Sequence, residues 1–177
     1  YVITYSSIKI KKIVFTFNKF MDNLRSMKVI GVIQARMKSQ RLLGKVMLDL
    51  IGKPLIWHIY NRLKYCQYLD DVVISTGEYS TNKEIIDYAK LAKIPYYEGS
   101  EKDLIDRLYQ TAKKFQASAI IRVTADCPLV DPLIVDKLVK TYMENQRYDI
   151  VTNCKTRTFP HGLDVELYSF NSLEKMW

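Results

Sequence analysis

VIGVIQARMKSQRLLGK, residues 29–45, runs from an apolar stretch straight into a loop crowded with cations. Val29–Ala35 is short, β-branched and almost continuously apolar. A central strand of a parallel sheet is covered on both faces, and it reads this way rather than as an apolar/polar alternation. Arg36–Val46 is then a basic loop leaving the strand's C-terminal end.

Beyond this stretch the chain repeats the alternation of strand and helix. Downstream, Pro54–Tyr65 carries a helical apolar face (Leu55, Ile56, Ile59, Leu63), with Pro54 suited to a first turn. Val72–Thr76 is expected as a strand ending in hydroxyls. Thr81–Lys93 is expected as a helix, with Thr81 and Glu84 at capping-box spacing. Pro95–Glu98 reads as a short strand ended by Gly99, and Glu101–Gln116 as a helix capped by Ser100. Ala119–Thr124 is a further buried strand, closed by the turn Ala125-Asp126-Cys127-Pro128. A helix over Pro132–Asn145 starts behind Asp131, strands are expected at Asp149–Thr152 and Leu163–Leu167, and Ser169–Trp177 has a helical pattern. The order predicts an α/β fold: a doubly wound, mostly parallel sheet with helices on both faces. Ligands of such sheets sit beyond the C-terminal strand ends, so the loops after Ala35, Thr76 and Thr124 are expected to share one crevice.

Upstream, residues 1–26 are expected to lie outside the core as an N-terminal extension, with Met27 as the natural start of a single domain spanning 27–177. Ile8–Phe20 is basic and apolar, but it lacks a small-residue cleavage site and its longest apolar run is broken at Thr16. No run approaches the length of a membrane span. The formal charge is +8, but residues 1–27 hold Lys9, Lys11, Lys12, Lys19 and Arg25 against Asp22 alone. The excess is therefore expected to reflect a solvated surface plus one anion-binding loop, and not a nucleic-acid partner. Three scattered cysteines with no CxxC pair predict neither a zinc knuckle nor a disulfide framework, and fit a reducing cytoplasm.

Four cations, Arg36, Lys38, Arg41 and Lys45, crowd the first loop. A triphosphate needs both fork-shaped and point-charge donors. Ser39 offers a hydroxyl, and Gly44 permits close backbone approach. A solvated basic loop is the alternative. Neither the GxxxxGKS/T phosphate loop nor the GxGxxG fingerprint is present. Asp126, at the end of a buried strand and held by Pro128, suits a magnesium ion shared with phosphates, or it merely caps its turn. Asp131, before Pro132, reads as a helix start. Ser75 and Thr76 either face a ligand or end their strand. Alternation puts Asp164 and Glu166 on one strand face. His58 and His161 read as packing and incidental residues.

The string IGVIQARMKSQRLLGK resembles the signature opening of the sugar-activating cytidylyltransferases. The spore-coat-polysaccharide type is nearest, and the acylneuraminate and 3-deoxy-manno-octulosonate cytidylyltransferases are related. Their pattern is close to IQAR-x-x-S-x-R-L-P-G-K. Gln34, Ala35, Arg36, Ser39, Arg41, Leu42, Gly44 and Lys45 match it, while Lys38 stands where glycine is usual and Leu43 where proline is usual. The stretches from Arg122 to Pro132, from Glu98 to Arg107 and from Phe159 to Glu166 are similar to further segments of the same family.

The resemblance implies a Rossmann-like nucleotidyltransferase that moves CMP from CTP to a sugar with Mg²⁺ and releases pyrophosphate. It implies Arg36 and Lys45 on the phosphates and Asp126 as catalytic metal ligand. Ala35, Ser39 and Arg41 would support the loop and its ligand, with Arg107 near the nucleotide and Asp164 on the sugar side; Ser75 and Thr76 would face the cytosine or merely end their strand. It implies a cytoplasmic enzyme of surface-polysaccharide or lipopolysaccharide synthesis, with no membrane partner and with a homodimer in the full-length protein. Relatives continue past Trp177, so a C-terminally truncated and inactive chain is expected. The competing expectations are a nucleotide-binding module without turnover, and a glycosyltransferase using a nucleotide-sugar donor. The turn at Asp126 lacks the DxD that the second would carry.

Overall fold

A computed structural model describes residues 27–39 and 42–177. The expected N-terminal extension, residues 1–26, and the expected ligand contact Arg41 lie outside the described residues. Six strands form one sheet: β1 (Val29–Gln34), β4 (Asp71–Thr76), β5 (Tyr96–Glu98), β6 (Ala119–Thr124), β7 (Ile150–Thr152) and β8 (Glu166–Ser169). A two-stranded hairpin, β2 (Asp49–Leu50) with β3 (Lys53–Pro54), stands apart from it. The main sheet runs β5-β4-β1-β6-β8-β7. The first four strands are parallel, and β8 runs antiparallel to both β6 and β7. The chain moves from β1 outward to β4 and β5, then returns to lay β6 on the other side of β1. The order therefore reverses between β1 and β6, which is where an open α/β sheet offers its ligand crevice.

The apolar pattern divides between the two faces. Val29, Ile33, Val72, Ile74, Ile121 and Val123 pack beneath α1 (Leu55–Leu63), α2 (Tyr79–Leu91) and α4 (Pro132–Glu144). Ile30, Val32, Val73 and Ile120 meet α3 (Leu104–Lys114) and α5 (Phe170–Met176) on the opposite face. Successive residues of β1 thus enter different cores, which is why the strand had to be apolar throughout. Each large side chain fully removed from water here contributes about 1.5–3 kcal/mol. Gly31 interrupts the series because a Cβ there would lie 3.0 Å from Leu69 Cδ1.

Several element boundaries differ from the expectation, each for a local reason. α3 begins at Leu104, not Glu101. Asp103 is its N-cap, accepting from the Asp106 amide at 2.9 Å, while Ser100 Oγ accepts from the Asp103 amide and so caps only the preceding turn. α2 starts at Tyr79, two residues early, and Thr81 is inside it. The Thr81 hydroxyl reaches Glu101, so no capping box forms. β8 starts at Glu166, which leaves Asp164 in the preceding loop. The hairpin was not anticipated. It turns through Ile51 (φ 52°) and Gly52 (φ 76°), two successive left-handed residues where only the glycine signals a turn. His58 Nε2 lies 2.6 Å from Leu50 O and ties this hairpin to α1, consistent with a packing role.

Asp136 holds the two ends of one layer together. Its carboxylate, on α4, accepts the backbone N–H groups of Gln67 and Tyr68 at 3.0 and 3.1 Å beyond the end of α1. Asp136→Ala leaves both donors without an acceptor in the protein, which is expected to destabilise by about 2 kcal/mol and lower the melting temperature by roughly 4–8 °C. The same substitution has a second readout. Burial, then the charges of Asp136 and Asp131, push the Cys66 thiol up to about 12. Removing one charge should bring that value down and speed alkylation of Cys66 at alkaline pH. An unchanged melt and an unchanged alkylation rate would contradict the role.

Candidate active site

The loop after β1 is shaped by its backbone before any side chain acts. Beyond β1 the ladder continues: Ala35 N–H donates to Ser75 O and Ala125 N–H donates to Gln34 O, each at 3.0 Å. The loop then closes on itself, with Gly44 N–H donating to Met37 O at 2.9 Å. Gly44 has φ 67°, a left-handed conformation that costs an L side chain free energy, and its Cβ position would meet Met37 Cε at 3.3 Å. From this turn the chain enters a 3-10 turn, Lys45–Met47, which aims Lys45 back across the crevice.

Lys45 Nζ meets Asp126 Oδ2 at 2.5 Å, joining the loops after β1 and β6 across a sequence separation of 81 residues. Burial raises the pKa of Asp126, but hydrogen bonds from Lys45 and from the Thr124 hydroxyl, with the Lys45 charge, outweigh it, and the carboxyl stays below its ordinary value. Around this pair lies an open crevice of about 230 Å³. Arg36, Lys38, Ser39 and Lys45 line one side of it, and Thr124, Ala125 and Asp126 the other. Gln34 forms part of its wall and accepts from Arg122 Nε at 2.6 Å. Arg122 is in turn ion-paired with Glu166, which also accepts from the Tyr168 hydroxyl.

A further cation comes from α3. Arg107 is buried, its Nη1 donates to Ser100 O at 2.5 Å, and its Nε has no partner among the described residues. Burial lowers its pKa. The nearby Glu101 charge opposes this, while the charges of Arg36 and Arg122 add to it. A guanidinium keeps its proton even so. The arrangement leaves a desolvated donor beside two further cations, which an anionic or acceptor-rich ligand would stabilise.

The residues singled out in the sequence meet different fates. Arg36, Ser39, Lys45 and Asp126 come together in the crevice, and Ala35 lies fully buried beneath it. Of the two readings of Ser75 and Thr76, burial fits the one in which they end their strand, and neither lines the crevice. Both are fully buried; Ser75 Oγ lies 3.0 Å from Thr111 Oγ1 under α3, and the Thr76 hydroxyl is without a partner. The expected pair of carboxylates on one strand face is corrected. Glu166 is committed to Arg122, whereas Asp164 bonds Arg157 Nη1 at 2.7 Å. Asp164 still belongs to the neighbourhood, because its charge helps raise the thiol of Cys127, next to Asp126, after burial and against the Thr124 hydroxyl. Asp131 caps α4, accepting from Leu133 N–H at 2.8 Å. Three residues that the sequence left without a ligand role, Gln34, Arg122 and Asn82, contribute to the wall or its support.

Mg²⁺ fits this donor set in one manner. Among the described residues no cluster of three or more acidic, histidine or cysteine side chains forms a closed metal cage. Asp126 presents a single ionised carboxylate at the crevice. That suits a cation which takes one or two protein carboxylates and obtains its remaining ligands from phosphates and water.

Residues 30–177 match the family model described as cytidylyltransferase. A cytidylyltransferase from Leptospira borgpetersenii has a similar structure, with TM-score 0.80 and 38% identity over 85% of this chain and 63% of that one. A CMP:2-keto-3-deoxy-manno-octonic acid synthetase complexed with CTP shares the fold at TM-score 0.70 and 20% identity, covering 84% of this chain and 77% of that one. An uncharacterised protein of Methanocaldococcus jannaschii is 35% identical over 151 residues, 85% of this chain and 60% of its own length. A 3-deoxy-manno-octulosonate cytidylyltransferase of Nitratidesulfovibrio vulgaris is 29% identical over 119 residues, 64% of this chain and 46% of its own length. The chain thus spans between about half and three fifths of these two curated relatives, and it belongs to the cytidylyltransferase family.

Proposed function

We propose that this chain binds CTP with Mg²⁺ in the crevice between β1 and β6 and provides the nucleotide site for transferring CMP to a sugar hydroxyl, with release of pyrophosphate. The observation that carries the reading is the meeting of Lys45 and Asp126 at the C-terminal ends of the two central strands, beside a loop lined with Arg36, Lys38 and Ser39. One wall supplies charge for a triphosphate and the other a carboxylate for its metal.

In this mechanism the attacking hydroxyl oxygen approaches the α-phosphorus in line with the departing pyrophosphate. One P–O bond forms as the other breaks, the leaving electron pair stays on pyrophosphate, and the hydroxyl proton passes to solvent or a nearby base. Little covalent chemistry falls to the protein, so its contribution is orientation and charge stabilisation. Arg36 and Lys45 hold phosphate oxygens, and Lys45 donates where charge grows in the transition state. Ser39 adds a hydroxyl donor, and the buried Arg107 adds positive charge beside Arg36. Asp126 would hold the Mg²⁺, which when bound supplies Lewis-acid neutralisation of the phosphates. Asp164 flanks the side left for the sugar.

The test is calorimetric titration of the chain with CTP, UTP, ATP and GTP, each with and without Mg²⁺. CTP is expected to bind at least tenfold more tightly than the others, and at least about tenfold more tightly with Mg²⁺ than without. Equal affinity for all four nucleotides would remove the cytidine assignment, and no affinity for any would remove the site.

A further inference from the structure

The neck of the phosphate loop is held from outside the loop. Met37 O accepts from Gly44 N–H, and Met37 N–H donates to Asn82 Oδ1 at 2.9 Å. Asn82 lies 45 residues away on α2 and is fully buried. Its amide nitrogen faces only acceptors: Glu101 Oε2 at 2.7 Å, Thr81 Oγ1 at 2.8 Å and Glu78 O at 3.1 Å. A donor on one side and acceptors on the other fix the amide orientation chemically. α2 deviates from helical geometry at this residue alone, with φ −129° and ψ 26°. The preceding loop is fitted to the same group. A Cβ on Gly77 would lie 1.7 Å from Glu101 Oε2 and 2.8 Å from Asn82 Nδ2. One amide therefore ties together the loops after β1, β4 and β5, and helix regularity is given up to place it.

We propose that Asn82 is a positioning residue for nucleotide binding, setting the backbone of the loop through Met37, and that Glu101 orients its amide. The proposal rests on the loop being the CTP phosphate site. Arg36 and Lys38 flank Met37 directly, so the path of the backbone there sets where both cations start. Displacing such groups by about 1 Å costs on the order of 10²-fold in a reaction that depends on orientation. Asparagine suits the position because it accepts and donates at once. Aspartate retains the acceptor for Met37 but would set a second carboxylate against Glu101.

The experiment is a polarity swap. Asn82→Asp is expected to weaken CTP affinity at least tenfold. Adding Glu101→Gln supplies an amide donor to the new carboxylate and restores the net charge of the native pair, so the double variant is expected to recover at least threefold of the lost affinity, short of the native value because the Glu78 carbonyl still faces a carboxylate. Glu101→Gln alone keeps an acceptor for Asn82 but removes a charge near buried Arg107, so its affinity is the reference against which the double variant is read. Amide hydrogen exchange without nucleotide gives an independent readout: Asn82→Ala should speed exchange of the Met37 amide at least tenfold. A folded double variant that binds no better than Asn82→Asp would overturn the proposal, as would Met37 exchange unaffected by Asn82→Ala. Should the native chain bind no nucleotide, the reading of the loop fails, and so does the functional part of the proposal. The exchange result then decides separately whether Asn82 holds the loop.

Discussion

Lys45→Met is expected to raise the CTP dissociation constant by about ten- to a hundredfold and, in a form of the protein that turns over, to lower CTP-dependent pyrophosphate release by about 10²–10³-fold. The affinity loss is that of one charge-assisted contact to phosphate. The larger loss in turnover follows because charge on the phosphoryl oxygens rises toward the transition state. Lys45→Arg keeps the charge but replaces a compact ammonium with a planar fork. It is expected to regain much of the affinity and little of the rate. Lys140→Met is the matched control. Lys140 is an exposed cation on α4, outside the residues that line the crevice, and its loss should cost less than about threefold in affinity. Isothermal titration and a coupled pyrophosphate assay check both. If the two lysine-to-methionine variants behaved alike, Lys45 would be one member of a diffuse positive field. Stability is a poor readout for Lys45, because its partner's side chain is 37% exposed and such pairs contribute little net.

Lys45 and Asp126 were legible in the sequence because local signals marked both ends of the contact. A buried parallel strand is apolar at every position, so β1 and β6 were readable from composition, and each is followed by residues that a core would not tolerate. β6 was expected over the same residues that the sheet contains, Ala119–Thr124. The order of elements then gave the switch point. The resemblance supplied CTP, which no single residue could. What stayed hidden is what depends on distant partners. Asn82 in a helical pattern carries no local sign that it accepts from Met37 N–H and donates to Glu101. The capping-box spacing of Thr81 and Glu84 suggested a helix start, yet the Thr81 hydroxyl was drawn into that network. Ser75 and Thr76 looked available at a strand end, but α3 covers Ser75 through Thr111. Alternation from Leu163 failed because pairing of β8 with β6 begins only where Glu166 meets Arg122.

Asp126→Asn is expected to remove most of the coupling between Mg²⁺ and CTP. Without ligands Lys45 and Asp126 satisfy each other. A phosphate that engages Lys45 releases the carboxylate, and a cation that engages Asp126 releases the ammonium. Each ligand thus removes the other's competitor, and by linkage each must tighten the other by the same factor. In the native chain Mg²⁺ should improve CTP affinity by about tenfold or more, and CTP should improve Mg²⁺ affinity equally. With asparagine the factor should fall below about threefold, since a neutral amide is a weak ligand for a hard cation. The pH dependence follows from the depressed pKa of Asp126. A carboxyl whose folded value lies below its unfolded value of about 3.8 stabilises the fold above that pH, and the contribution disappears as pH falls through the folded value. The stability difference between the native chain and Asp126→Asn should therefore be flat from about pH 5 to 8 and vanish only in stronger acid. The Mg²⁺–CTP coupling should show no carboxylate titration over the same range. Coupling that survived intact in Asp126→Asn would mean that a different group holds the metal, and a transition near pH 6 would mean that this carboxyl is not held ionised by Lys45.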